Sequence, residues 1–510
     1  MATEPEMAGA ATTVTRPPGL RRDAIGLREV LFQSITDMAP GAAIAASIPA
    51  GAAYAGGSLP LAVLFALVAC LLSASCVGAL ARELPAAGSL ATYSARGLHP
   101  AVGFLVAWGY VLVGALISPL VLLQLGFTVA STINSEWHSY PANLWWPWAI
   151  LGALIVLAAG YYGVRTSARL GTVLGAFEIL VFLVLGVFLV VHAGSHNTWS
   201  VFGTSYTPKA YHGITGVFAG SVFTILAFGG FEGAAPLAEE ARNPRRTVQR
   251  AVLIATLGIG ALYVFTTYAV DVAFGPAKFA GFSASGAASW VGIARTLYGI
   301  FWFFVFLAIV NSTIANANAG VNVSSRTAYA MGRIGAFPHF LARVHHKHAS
   351  PVVAIFATFV VTIAVTLGLG FGYDPVTAFA MVGTGLVIVL AAIYIVTNAA
   401  CIGYFAKRRR AARAVGGAAG AGGQRWNPLL HLVIPVLGIA AFVPAWLAAA
   451  GIKAFSFVTP LAPPASYMGP GVAGFMVVGI GYLIYLYARH PSRVTEVGLV
   501  HLDDVEITEE

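Results

Sequence analysis

The chain has 510 residues, of which 58% are hydrophobic and 9% are charged, and its mean hydropathy is +0.82. Because a soluble domain carries about 25% charged residues, this composition excludes an ordinary soluble protein and fits a lipid bilayer. The formal net charge of +9 does not form a basic stripe on a foldable soluble module. We therefore expect membrane lipid, and not nucleic acid, as its surroundings.

The N-terminal tail, residues 1–26, is polar and lacks an apolar core followed by a small-residue cleavage site, so we predict no removable signal peptide. Beyond it, apolar runs of roughly 20 residues recur with short polar breaks. They predict an all-α integral membrane protein, with a transmembrane domain at 27–488 and a C-terminal tail at 489–510. The predicted helices, about twelve, are 29–56, 59–84, 99–134, 143–163, 169–193, 213–241, 249–274, 290–331, 351–371, 375–405, 428–450 and 467–488.

The positive-inside rule orients this arrangement. With the N-terminus in the cytoplasm, Lys209, Lys278, Arg295 and Lys453 are the basic residues on the outer side, out of 28 in the chain. An even number of spans then leaves both termini in the cytoplasm. The pattern predicts a multi-pass protein of the cell membrane.

Two cytoplasmic features follow the tenth predicted span. The basic run Lys407–Arg410 is expected to fix topology or to contact anionic headgroups. The Gly/Ala-rich stretch Ala414–Gly423 predicts a flexible linker.

Two predicted spans contain residues that favour an interrupted helix. Met38–Ala42 contains Pro40 and Gly41, and Phe228–Gly233 contains adjacent glycines. Proline removes a backbone donor and glycine gives the backbone its widest freedom. Unpaired backbone cannot face lipid, so paired breaks in corresponding spans point to a transporter's binding site. The alternative is a proline kink and a glycine packing face.

Several motifs resemble those of the amino acid–polyamine–organocation transporters, over roughly residues 27 to 490. The resemblance implies a LeuT-like fold with two inverted five-helix repeats, at about 29–193 and 213–405, and two peripheral helices at about 428–488. It also implies discontinuous first and sixth helices and alternating access. The motifs are AFGGFEG at Ala227–Gly233, LAEEARNPRR at Leu237–Arg246, ELPAAGSLATY at Glu83–Tyr93, GVRTSAR at Gly163–Arg169 and SRTAYAMGR at Ser325–Arg333.

A zwitterion in a low-dielectric cavity needs partners at both ends. Free N–H groups after the first break suit a carboxylate, and carbonyls before the second break suit an ammonium. Aromatic rings at the second break can add cation–π attraction. The predicted substrate-binding residues are Pro40, Gly41, Ala42, Ala43, Leu226, Ala227, Phe228, Gly229, Gly230 and Phe231.

The sequence departs from the family pattern at two points. Pro40-Gly41 stands where the family usually has Gly-x-Gly, somewhat as in bacterial putrescine importers. Leu226 stands where an aromatic residue commonly gates the site, so either Phe228 or Phe231 takes over that role or the site is roomier.

Carboxylates inside the membrane are costly and usually face a cavity. In the family's fifth helix a lysine often lies eleven residues after the serine of Ser-Ala-Arg, and counting from Ser167 gives Glu178. A carboxyl group can take up and release a proton, so we expect Glu178 to serve proton coupling. The alternative is a protonated glutamic acid that only bonds to a neighbouring helix. Asp271 is expected near the outer membrane face.

Other polar residues are expected to support the site. Asp37 lies just before the first break, and Glu232 is expected to hold the second break in place. Asn311, Asn318 and Asn322 are spaced seven and four residues apart, which puts them on one helical face. They either line the permeation route or bond across helices.

The function that these features favour is secondary active transport of a small amino acid, coupled to protons. The first alternative is an amine or polyamine importer, but a diamine calls for two deep carboxylates and the stretch Ala42–Ile48 contains none. The second is a non-transporting nutrient sensor, which large soluble extensions would favour.

Two other classes are disfavoured. The sequence has no Gly-x-x-x-x-Gly-Lys-Ser/Thr loop, so we do not expect an ATP-driven pump. His345, His346 and His348 lie in a basic loop without an acidic or cysteine partner. We therefore expect no metal, no cofactor and no enzymatic activity.

Overall fold

The computed structural model describes residues 25–86, 88–162, 168–238, 241–285, 288–333, 337–343, 350–414, 424 and 426–496. This part of the chain is helical throughout and contains no strand, apart from one isolated bridge between Ile25 and Ala241. Within it, ten helical stretches are long and apolar enough to cross a membrane, and Trp146–Tyr162 is a shorter apolar helix. The predicted all-α membrane architecture is confirmed.

The α-helices, numbered along the chain, are α1 Leu27–Met38, α2 Pro40–Ala42, α3 Ile48–Ala50, α4 Ala52–Ala55, α5 Leu59–Glu83, α6 Ser89–Gly97, α7 Pro100–Glu136, α8 Trp146–Tyr162, α9 Ala168–Ala193, α10 Ile214–Phe228, α11 Pro244–Phe274, α12 Ala288–Tyr298, α13 Phe301–Arg333, α14 Val352–Gly372, α15 Pro375–Ala414, α16 Ile434–Ala449, α17 Met468–Arg489 and α18 Pro491–Glu496. Two π-helical segments are Ala43–Ser47 and Leu429–Val433. The 3₁₀ segments are Gly56–Ser58, Gly194–His196, Trp199–Phe202, Lys209–Tyr211, Phe231–Leu237, Pro276–Ser285, His339–Ala342 and Ala465–Tyr467.

The helical stretch Leu27–Glu83 covers the first two predicted spans. They meet at the 3₁₀ turn Gly56–Ser58, where Gly56 has a positive φ of 56°. Such a backbone angle suits glycine and reverses the chain. The twelve-helix count itself stays a prediction.

The predicted span 290–331 is divided in the structure. Gly299 has a φ of 53° and ends α12, and α13 begins at Phe301. Hydropathy alone does not register this break, because apolar residues lie on both sides of the glycine.

The first and sixth predicted spans pass each other in opposite directions. Ile25 bridges Ala241 at one end, Asp37 packs against Gly230 in the middle, and Gly51 packs against Gly220 toward the other end. A Cβ atom at Gly51 would lie 2.8 Å from the carbonyl oxygen of Gly220. The interruptions of the two spans are therefore neighbours.

On the side predicted to be cytoplasmic, α15 continues to Ala414 and carries the basic run with it. Arg408 pairs with Glu83 at the end of α5, and Lys407 donates to the carbonyl of Leu98 at 2.9 Å. The guanidinium of Arg409 lies 5.2 Å from the ring centroid of Trp426. These three bases therefore have protein partners.

Some predicted features lie outside the described residues. They are both tails beyond 25–496, most of the Gly/Ala-rich linker (415–423), the histidine cluster (344–349) and the start of the motif at 163–167.

Candidate functional site

The first break lies at Ala39, one residue before the proline that predicts it. α1 ends at Met38, and Ala39 has a left-handed backbone with φ 46° and ψ 68°. Pro40 then starts the next helix, where its missing N–H leaves no bond unmade. The π-helical segment Ala43–Ser47 follows, and such segments often occur at functional sites.

The second break lies at the two adjacent glycines. α10 ends at Phe228, Gly230 has a φ of 105°, and a 3₁₀ segment begins at Phe231. A Cβ atom at Gly230 would lie 2.6 Å from the carbonyl carbon of Asp37. Both the backbone angle and the close approach therefore require glycine here.

Tyr263 of α11 connects the two breaks. Its hydroxyl lies 3.1 Å from the carbonyl oxygen of Met38 and 3.1 Å from that of Ala227. The side chain is fully buried. One phenolic proton thus serves two carbonyls that the broken helices leave without helical partners.

Ser34 of α1 also reaches across to the second break. Its hydroxyl donates to the carbonyl of Phe231 at 2.9 Å and accepts from the N–H of Ala234 at 3.0 Å. It therefore satisfies an acceptor and a donor of the same 3₁₀ segment.

Glu178 of α9 contacts the first break directly. The N–H of Gly41 donates to its Oε2 at 3.2 Å, and the amide of Asn311 donates to its Oε1. A Cβ atom at Gly41 would lie 3.0 Å from the carbonyl oxygen of Ala308. The structure thus brings three predicted residues together, and it engages the Gly41 N–H with a protein carboxylate.

Gln124 of α7 meets the same break from another side. Its amide nitrogen donates to the carbonyl of Ala42 at 2.9 Å. Its Oε1 is buried and has no hydrogen-bond partner among the described residues. Thr128 and Thr132 continue this buried polar stripe at helical spacing, and that periodicity is the signal by which sequence reasoning could have found Gln124.

Glu232 has two tyrosine partners. The hydroxyl of Tyr110 donates to Oε1 at 3.0 Å, and that of Tyr394 donates to Oε2 at 2.9 Å. These bonds tie the 3₁₀ segment after the second break to α7 and α15. They fit the predicted positioning role, which stays a prediction.

The asparagine nearest the breaks is one that the helical-face pattern omits. Asn316 donates to the backbone carbonyl of Asp37 at 2.8 Å. The side-chain carboxylate of Asp37 accepts from Gln33 at 2.9 Å. Asn318 and Asn322 are half-buried farther along α13. Of the asparagines of α13, Asn316 therefore bonds to the first break and Asn311 bonds to Glu178.

The aromatic rings at the second break are packed into the protein. Phe228 meets Tyr263 edge-on at 5.3 Å between centroids, and Phe231 lies 4.9 Å from Tyr394. Leu226 packs against Gly383, where a Cβ atom would lie 2.7 Å from Leu226 Cδ2. The ring of Phe228 therefore packs against α11, and that of Phe231 packs against α15.

The buried charges near the breaks are of one sign. Among the described residues, the buried carboxylates are Glu178, Glu232 and Asp271, and no lysine or arginine side chain is buried. Asp271, near the C-terminal end of α11, has no hydrogen-bond partner for either carboxylate oxygen in that part of the chain. No group of three or more His, Cys, Asp or Glu there can hold a metal ion.

Comparison with known proteins identifies the family. A family model described as amino acid permease matches residues 29–419. The chain belongs to the amino acid permease family. This match confirms the resemblance to the amino acid–polyamine–organocation transporters, and it covers both breaks and every predicted site residue.

The relatives of this permease include transporters of different substrates. The low-affinity putrescine importer PlaP of Escherichia coli K12 is 27% identical over 338 residues, covering 65% of this chain and 71% of the relative. The branched-chain amino acid permease BcaP of Bacillus subtilis is 25% identical over 366 residues, covering 68% and 74%. Mouse cationic amino acid transporter 4 is 26% identical over 349 residues, covering 65% and 52%.

Proposed function

We propose that this permease is a secondary active transporter that carries a small amino acid or related amine across the cytoplasmic membrane. The observation that supports it most is the pair of helix interruptions that face each other and share the hydroxyl of Tyr263. Interrupted helices expose backbone groups inside the membrane domain, where a polar solute needs them. The named activities of the relatives, among them putrescine and branched-chain amino acid transport, favour the same class.

We further propose that transport proceeds by alternating access between two inverted repeats, at about 29–193 and 213–405. The opposite directions of the two interrupted spans support this arrangement, since inverted repeats bring corresponding helices together antiparallel. The distribution of lysine and arginine favours both termini in the cytoplasm. The relatives' transport roles favour a non-enzymatic function.

We propose Glu178 as the group that takes up and releases the coupling proton. Its carboxylate accepts the Gly41 N–H and the Asn311 amide. A proton on Glu178 removes accepting capacity at the first break, so its protonation is linked to the conformation of that break. An intramembrane carboxylate beside a broken helix is well suited to this role.

The test is uptake into proteoliposomes that contain the purified permease. Radiolabelled amino acids and amines are offered with and without an imposed pH gradient. We expect uptake of one solute class, a dependence on the gradient in wild type, and loss of that dependence in Glu178→Gln. Unchanged gradient dependence in the variant would remove Glu178 from coupling, and ligand binding without any transport would favour a sensor.

A further inference from the structure

Asp271 is a buried acid to which the proposed transport function assigns no role. It lies near the C-terminal end of α11 and is fully buried. Neither of its carboxylate oxygens has a hydrogen-bond partner among the described residues. A buried polar group without a partner costs free energy, and a buried unpaired charge costs far more. Membrane segments keep such a residue chiefly where it serves a function.

Glu178 has very different surroundings. Its Oε2 accepts from the N–H of Gly41, and its Oε1 accepts from the amide of Asn311. Hydrogen bonds to a carboxylate favour its ionised form. Asp271 has no such donor in the described part of the chain, so burial favours its neutral, protonated form. Two acids in such unlike surroundings are suited to holding and releasing protons at different stages of a cycle.

No titratable group described around α11 offsets the burial of Asp271. The elements that pack against α11 are α1, α5, α9, α10, the π-helical segment Ala43–Ser47 and the 3₁₀ segments Phe231–Leu237 and Pro276–Ser285. Their described titratable side chains, with those of α11 itself, are Arg28, Glu29, Asp37, Cys70, Cys76, Arg82, Glu83, Glu178, His192, Glu232, Arg245, Arg246, Arg250, Tyr263, Tyr268 and Lys278. None of them forms a hydrogen bond or an ion pair with Asp271.

The backbone beside Asp271 is in direct contact with the half-helix that follows the first break. The carbonyl of Asp271 accepts from the N–H of Gly275 at 2.9 Å, and the next 3₁₀ segment begins at Pro276. A Cβ atom at Gly57 would lie 2.3 Å from the carbonyl oxygen of Pro276. Gly57 ends the stretch that runs from the first break through α2, α3 and α4. A movement of this half-helix therefore acts on the chain next to Asp271.

We propose that Asp271 is a second proton-carrying group of the permease, which holds its proton while buried and exchanges it with the outer solution when the half-helix after the first break moves away. The proposed orientation, with both termini in the cytoplasm, puts this end of α11 on the outer side. Because an ionised Asp271 would be buried without a partner, its protonation becomes a condition for closing that side. This inference rests on the proposed transport function and deepens it.

The experiment counts protons per transported substrate. The purified, full-length permease is placed in proteoliposomes that contain a pH-sensitive dye. Uptake of the radiolabelled amino acid or amine that the wild type carries best is measured together with acidification of the lumen. Asp271→Asn keeps the shape of the side chain but cannot carry the proton. We expect the ratio of protons to substrate to fall by about half, since one of two carboxyl groups that each hold one proton is lost.

A second variant and a matched control accompany this measurement. Asp271→Ala also removes the carboxyl group and cannot collide with its neighbours, so it should lower the ratio in the same way. Exchange of internal for external substrate, which needs no net proton movement, should persist in both variants. The control is Asp374→Asn, because Asp374 is exposed and caps the start of α15 through the N–H groups of Val376 and Thr377. It should keep the wild-type ratio.

Two measurements need no substrate. At neutral pH the infrared spectrum of the purified permease should contain a C=O band of a neutral carboxyl group that is missing from Asp271→Asn. The melting temperature of Asp271→Asn should equal that of the wild type, because the change breaks no bond to a described residue.

Four results overturn the inference. If Asp271→Asn keeps the wild-type ratio, or if its infrared spectrum lacks no band of a neutral carboxyl group, Asp271 carries no proton although the transport function stands. If the variants lose exchange, or if Asp271→Asn melts at a clearly lower temperature, the residue serves binding or folding instead. If the wild type carries substrate without protons, the proposed coupling through Glu178 fails together with this inference.

Discussion

The two breaks achieve the same interruption by different means. At the second, glycine at position 230 supplies a backbone angle that other residues avoid, and Glu232 anchors the following segment to two tyrosines. At the first, an alanine takes the left-handed conformation before a proline. Its exposed backbone groups are then satisfied by side chains from four other helices, at Gln124, Glu178, Tyr263 and Asn316.

The second break is encoded locally, whereas the first is encoded by its surroundings. Glycine adopts a positive φ without steric penalty, so residue 230 itself permits its angle, whereas Ala39 adopts an unfavourable angle only because packing holds it there. Mutations at the second break should therefore act on the backbone itself. Mutations around the first should act through hydrogen bonds.

The largest effect is expected for Gly230→Val. A branched side chain cannot adopt φ 105° without strain and would collide with Asp37, so we expect a loss of roughly 3 kcal/mol or more of stability. Thermal unfolding of the detergent-purified protein measures it. The control is Gly481→Ala in α17, where no atom lies within 4 Å of an added Cβ. Equal stability of Gly230→Val and wild type would contradict a local origin of the break.

An intermediate effect is expected for Tyr263→Phe. The change deletes the hydroxyl shared by Met38 and Ala227 and keeps the ring, so two buried carbonyls lose their donor. We expect destabilisation by about 1–3 kcal/mol, measured by the same unfolding assay. Tyr485→Phe, at an exposed position on α17, should leave stability unchanged. If Tyr263→Phe unfolds at the same temperature as the wild type, the shared hydroxyl does not stabilise the contact between the two breaks.

The smallest effect is expected for Ala39→Gly. Glycine relieves the left-handed strain, worth about 1–2 kcal/mol per residue, but loses more conformational entropy on folding. We expect an unchanged or slightly raised melting temperature. A clear drop in melting temperature would mean that the methyl group of Ala39, buried in the structure, contributes more by packing than its backbone costs.

The long apolar helices and both breaks could be predicted from the sequence, because hydropathy, proline and glycine act locally, but the division of the predicted span 290–331 at Gly299 could not. Glu178 could be found because a carboxylate within an apolar run is conspicuous. The roles of Ser34 and Tyr263 could not, since each depends on which carbonyls the folded chain brings near it. Ser34 meets Phe231, which is 197 residues away along the chain.

The asparagines of α13 illustrate the limit of helical periodicity. A single face was predicted from Asn311, Asn318 and Asn322, but the contacts come from Asn311 and Asn316. Five residues correspond to about 140° of rotation, so these two side chains leave α13 in different directions. Asn311, Asn318 and Asn322 still share one face of α13, and their supporting role stays a prediction; the contact with the first break comes from Asn316 on another face.

The close packing of Gly51 on Gly220 has a mechanical consequence. A Cβ at Gly51 would lie 2.8 Å from the Gly220 carbonyl, so the half-helix after the first break and the half-helix before the second touch backbone to backbone. Neither glycine has a side chain that could give way at this contact, and the side chains of Leu59 and Ala55 pack beside it. We therefore expect a sideways shift of one half-helix to move the other with it, and bending to occur at Ala39 and Gly230, where the two spans are interrupted.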